Sequence, residues 1–109
     1  MAMKKLLLDE CVPQKLREYF SGAEVYTVAY MQWTGIKNGK LLALAAENGF
    51  EVFITTDKNL PYQQNTAKHQ IAVVVLNVPI AKMKYLVPVA SKAMDQLNSF
   101  EAGKIYELS

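Results

Sequence analysis

"IAVVVL", residues 71–76, is six apolar residues in a row, four of them β-branched. Such a run is short for a helix and suits a pleated backbone, so it reads as a strand. Unlike a half-solvated strand, it shows no alternation of apolar and polar residues. Both of its faces therefore need covering, which is the condition of a parallel sheet packed between helices. "LLL" at residues 6–8 carries the same message at the other end of the chain.

Working outward from these runs, strand and helix patterns alternate. Strands are expected at residues 4–8, 24–28 ("EVYTV"), 51–55 ("EVFIT"), 71–76 and 104–108 ("KIYEL"). A helix is expected near residues 13–20, opened by Pro13 and stopped by Gly22, with Leu16, Tyr19 and Phe20 on one face. Asn38 is the expected cap of a second helix through "KLLALAAE" that stops at Asn48-Gly49. Residues 60–65 read as one helical turn. Leu86, Val89, Ala90, Ala93, Met94 and Leu97 recur at i, i+3, i+4 spacing and predict a long helix, which Pro88 kinks or starts. Alternation of this kind implies right-handed crossovers and a parallel sheet. The expected architecture is one domain over residues 1–109, a three-layer α/β/α fold with about five strands in the order 2-1-3-4-5.

Composition agrees with a globular chain. Of 109 residues, 51% are hydrophobic and 20% charged, and no apolar run nears the ~18 residues needed to cross a membrane. Lys4 and Lys5 precede only three leucines, too few for a signal-peptide core. The chain thus reads as cytoplasmic, in keeping with a single cysteine that can form no intrachain disulfide. One cysteine and one histidine also exclude a zinc cage. A net charge of +2 does not by itself imply nucleic acid.

In a sheet of this order, ligands bind beyond the carboxyl ends of the strands where the order reverses. Asp9 and Glu10 follow strand 1, and Asp57 follows strand 3 in "ITTDKN". Neighbouring strands lie ~4.8 Å apart, so the three carboxylates are expected to converge. Like charges brought together raise a pKa unless a cation neutralises them. Magnesium suits the purpose, since it takes one or two carboxylates and keeps water and phosphate oxygens. The competing reading is that these are solvated or helix-capping acids, welcome ahead of Pro13 in any case.

Lysines fall on the same expected edge: Lys37, Lys40, Lys58, Lys82 and Lys84, whereas the opposite one carries Glu24, Glu47, Glu51, Asp95 and Glu101 against Lys68 and Lys104. Lys37 and Lys40 flank a helix N-terminus, where a cation costs about 0.3–1 kcal/mol, and a phosphate ligand would explain both them and the free helix amides. Tyr30, Met31 and Trp33 offer base stacking or core packing. Gln63, Gln64 and Asn65 offer hydrogen bonds to substrate or to local backbone. Cys11 reads as buried and structural, and His69 as exposed.

"LLLDECVP", "TGIKNGKLLALA", "VFITTDKNLPYQQN" and "IAVVVLNV", in this order and spacing, resemble a PIN-like family, many of whose members are domains of unknown function or toxin components of toxin–antitoxin systems. The resemblance covers essentially the whole chain. It implies an α/β/α fold and a metal-dependent endoribonuclease using Mg2+ or Mn2+. It implies Asp9 and Asp57 as metal ligands and Glu10 as a third catalytic acid. RNA becomes the expected substrate, held by Lys37, Asn38, Lys40, Lys58, Asn59, Gln63 and Gln64, and the implied partners are an antitoxin protein or a second copy in a homodimer. The chain departs from the pattern where relatives often carry Glu and it has Lys40, and where a second acid after strand 3 is replaced by Asn59. A degenerate RNA-binding or protein-interaction module is therefore the alternative. A phosphoacceptor receiver domain fits the acids but not Asn77 after strand 4 or the terminal "YELS".

Overall fold

The structure is a computed structural model that describes residues 3–63 and 68–109, with the backbone alone at Tyr62 and Gln63. Its strands are β1 (Lys5–Leu8), β2 (Glu24–Thr27), β3 (Val52–Thr55), β4 (Ala72–Leu76) and β5 (Ile105–Leu108). They form one five-stranded sheet in the order β2-β1-β3-β4-β5, and every pairing is parallel. The helices are α1 (Asn38–Glu47), the single turn α2 (Leu60–Gln63) and α3 (Met83–Asp95). The expected α/β class, strand number and strand order are those observed.

Side chains alternate across the sheet, and the core divides accordingly. Leu6, Leu8, Ile54, Val74 and Leu76 belong to one apolar cluster, closed by Leu86, Val89, Ala90 and Ala93 of α3 and by Leu16. Leu7, Phe53, Val73 and Val75 belong to a second cluster, closed by Leu41, Leu42 and Ala45 of α1 and by Leu60. All nine of these strand residues are at most 1% exposed. Burying each is worth about 1.5–3 kcal/mol, which explains why the runs admit no polar residue.

The segment after Pro13 is a 3₁₀ helix (Gln14–Tyr19), tighter than the α-helix expected there. Leu16 and Phe20 are buried, but Tyr19 is 45% exposed rather than sharing their face. Phe20 lies past the helix end and turns inward on its own backbone angles. A Cβ at Gly22 would stand 3.1 Å from Met94 Cε, the tip of a flexible side chain on α3. Pro88 lies inside α3, which starts five residues before it at Met83. Capping differs too: Lys37 is the N-cap of α1, with no side-chain bond, and Asn38 is the first helical residue.

At its far end α1 closes in a Schellman motif. Phe50 N–H donates to Ala45 O at 3.0 Å and Gly49 N–H to Ala46 O at 3.1 Å, with Gly49 at φ +83°. That angle aims the chain into β3. Gly49→Ala should therefore cost about 1 kcal/mol even though open space surrounds the site. Thermal melts should show Tm lowered by roughly 4–8 °C, and an unchanged Tm would deny the glycine this role.

Candidate functional site

Past Leu8, the ladder runs one residue further: Asp9 N–H donates to Ile54 O at 2.9 Å. The chain then turns, with Val12 N–H on Asp9 O at 3.0 Å and Glu10 N–H on Asp9 Oδ1 at 2.8 Å. Asp9 is thus fixed by its own main chain at the carboxyl end of β1. Beside it β3 ends in Thr55, a hydroxyl residue with no exposed surface.

The Thr55 hydroxyl ties the two strand ends together. Oγ1 donates to Asp9 Oδ2 at 2.7 Å and accepts Asp57 N–H at 3.0 Å. Asp57 Oδ1 accepts Asn59 N–H at 2.9 Å, and Leu60 N–H donates to Asp57 O at 3.3 Å. This turn, built on the aspartate's own side chain, leads into α2. The Asp9 carboxylate and the Asp57 main-chain amide therefore meet at one buried hydroxyl, where the strand order reverses between β1 and β3.

Glu10 is directed elsewhere. Its Oε1 accepts Gly35 N–H at 3.1 Å, fastening the loop between β2 and α1 to the acidic turn. Gly35 has φ +86°, a backbone state that glycine enters without steric cost. Cys11 is exposed, not buried as expected. Its Sγ lies 3.5 Å from Asp9 Oδ2 and 3.4 Å from Thr55 Oγ1, and it accepts Thr56 N–H at 3.4 Å. The turn after Glu10 is too short to carry position 11 back into the apolar cluster, and Val12 takes the buried place instead.

The lysines follow the topology. Lys37 caps α1 and Lys40 sits in its first turn; Lys82 caps α3 and Lys84 sits in its first turn. Both helices start at the carboxyl edge of the sheet. Lys58 directly follows Asp57, and all five side chains are exposed. Lys4 and Lys5 lie at the amino edge instead, Lys4 within 3.7 Å of Glu51 and Lys5 donating to Asn48 O at 2.8 Å. The segregation of charge is thus incomplete.

Asn59 is exposed and Asn38 half-buried, while Gln64 and Asn65 lie outside the described residues. The aromatic residues divide. Trp33 packs edge-on against Phe50 at 5.8 Å between ring centres, whereas Tyr30 is 67% exposed beside Tyr26. The Tyr30 N–H donates to Thr27 Oγ1 at 3.0 Å, so its turn is pinned to the end of β2. His69 is half-buried rather than exposed, and its Nε2 is buried with no hydrogen-bond partner among the described residues.

Among the described residues, no group of three or more His, Cys, Asp or Glu side chains is arranged to hold a metal ion. The donor set at the strand ends consists of the Asp9 and Asp57 oxygens. Two carboxylates completed by water and phosphate oxygens are what a magnesium-type ion takes, so these residues fit one in number and chemistry. Among the described residues, no helix is long and apolar enough to cross a membrane.

Thr55 is the site residue that sequence reasoning passed over. The signal was present in "VFIT", where a hydroxyl closes an otherwise apolar buried strand two residues ahead of an aspartate. No family model, curated protein or solved structure matches the chain.

Thr55→Val keeps the shape but removes both bonds of the hydroxyl. It should cost about 1–3 kcal/mol in urea unfolding, because Asp9 and the Asp57 amide each lose a partner. Thr55→Ser keeps the hydroxyl and should lose less than half as much. Equal losses in the two variants would mean that packing, not the hydroxyl, holds the strand ends.

Proposed function

We propose that this chain is a PIN-like, metal-dependent endoribonuclease. The observation that carries the reading is the tie of the Asp9 carboxylate and the Asp57 main-chain amide to one buried hydroxyl at the reversal of strand order. Asp9 and Asp57 would hold Mg2+ or Mn2+. When bound, such an ion supplies charge stabilisation at a phosphoryl oxygen and lowers the pKa of a coordinated water.

The chain's own groups do the rest. The Thr55 proton, given to Asp9 Oδ2, and the Glu10 N–H, given to Oδ1, set the orientation of that carboxylate before substrate arrives. Lys58 follows Asp57 directly, and Lys37 and Lys40 flank the start of α1, whose first bonded amide is that of Leu41. The amides ahead of it are free to receive a phosphate oxygen. These cations position RNA through its backbone, which carries no base information. Tyr30 presents an exposed ring on which a base can stack, worth about 1–3 kcal/mol.

One observation favours a second reading. Glu10 is bonded to Gly35, leaving two carboxylates rather than three at the strand ends. A module that binds RNA or protein without cleaving, as one half of a toxin–antitoxin pair, needs no third acid.

Purified protein should cleave single-stranded RNA only when Mn2+ or Mg2+ is present. Asp9→Asn and Asp57→Asn should each lower the rate at least a hundredfold while leaving the circular dichroism spectrum unchanged. Cleavage that persists in both variants would overturn the nuclease assignment. Calorimetry separates the second reading: RNA binding with no heat from millimolar Mn2+ would support the non-cleaving module.

A further inference from the structure

We propose that two copies of this chain associate through the open edge of β2, by antiparallel β2–β2 pairing about a two-fold axis. The proposal is independent of the nuclease reading, because it uses the outer edge of β2 and neither Asp9 nor Asp57.

The first support is the hydrogen-bond register of β2. Glu24 N–H donates to Lys4 O at 2.8 Å and Val28 N–H to Leu8 O at 3.1 Å. A strand turns successive amides to alternate sides, so even-numbered residues of β2 face β1 and Val25 and Thr27 face outward. Thr27 O is taken by Met31 N–H at 3.1 Å. The Val25 N–H and C=O and the Thr27 N–H remain without a strand neighbour, since β2 is the last strand on its side. Centred on Val25, an antiparallel pair would exchange two reciprocal bonds between Val25 and the partner's Val25. Thr27 N–H would then meet the C=O of the partner's Ala23.

The second support lies beside this edge. An open groove of about 520 Å³ runs between the 3₁₀ helix and β2, with Phe20, Ala23 and Val25 along it and Arg17 and Glu18 on its rim. Phe20 and Ala23 are buried and Val25 is half-buried, so the floor is apolar. The rim carries both signs of charge, and neither Arg17 nor Glu18 forms an ion pair; those among the described residues are Lys4–Glu51 and Lys104–Glu101. Opposite charges side by side make a patch complementary to itself under a two-fold rotation, Arg17 facing the partner's Glu18 and the reverse.

The other open edge, β5, lacks that character. Lys104 is already bonded to Glu101 at 2.6 Å, which raises the lysine's pKa and lowers the glutamate's, and Glu107 accepts a bond from Asn77 at 2.9 Å. Pairing of β2 with β5 would join head to tail and build an open filament, whereas β2 with β2 closes.

Sedimentation equilibrium of the full chain should give a species of twice 12.2 kDa that dissociates on dilution. Val25→Pro deletes an outward amide and none of the bonds to β1, and should yield a folded monomer. Arg17→Glu and Glu18→Arg should each weaken the dimer by about tenfold or more, and the double exchange should restore it. A chain that stays monomeric to about 1 mM overturns the proposal. So does a dimer indifferent to both single charge changes, or growth into species larger than a dimer.

Discussion

Strand β1 bonds to β2 through its even-numbered residues and to β3 through its odd-numbered ones. Lys4 and Leu8 carbonyls serve β2, while Lys5 O accepts from Glu51 and Asp9 N–H reaches Ile54 O. This two-sided pairing is the constraint on which the remaining architecture depends. It makes β1 central, buries Leu6, Leu7 and Leu8 completely, and sets the end of β1 level with the end of β3. A shift by one residue would exchange the two apolar clusters and turn Leu7 toward α3. The alternating burial on each face therefore protects the register, and the register in turn holds Asp9 opposite the end of β3.

Polar groups can appear only where the sandwich opens, and the transition there is abrupt. Thr55 is as deeply buried as Ile54, yet its hydroxyl is satisfied twice, by Asp9 and by the Asp57 amide. A buried hydroxyl without partners would cost more than it returns, so the two aspartates and the threonine form a unit rather than three separate choices. The same hydrogen bonds that satisfy the backbone also set the orientation of the acids. Glu10, adjacent in sequence, is drawn to the neighbouring loop by the Gly35 amide. Two carboxylates rather than three thus share the end of the sheet, and that number bears directly on what chemistry the edge can support.

The two ends of the sheet differ in kind. At the carboxyl edge, helices α1 and α3 begin, each with a lysine as its cap and another in its first turn. At the amino edge, acids and bases pair locally, as in Lys4 with Glu51, and the apolar groove beside β2 lies open. The proposed self-association uses the outer edge of β2, and the proposed chemistry the ends of β1 and β3.

Much of this fold was legible in the chain alone. Valines and leucines at 6–8 and 71–76 demanded covering on both faces, and alternation with helical patterns allowed little besides a parallel α/β sheet in the observed order. Asp9 and Asp57 could be assigned to neighbouring strand ends from that order. The partners of those acids could not, because hydrogen bonds of the kind made by Thr55, Cys11 and Gly35 join residues 25 to 46 positions apart and leave no periodic trace. The exposure of Cys11, the cap at Lys37 and the outward turn of Tyr19 were likewise decided by tertiary packing. Local pattern determines which face of an element seeks the core; only the assembled sheet determines which polar groups remain at its rim, and which of them a neighbour's backbone has already claimed.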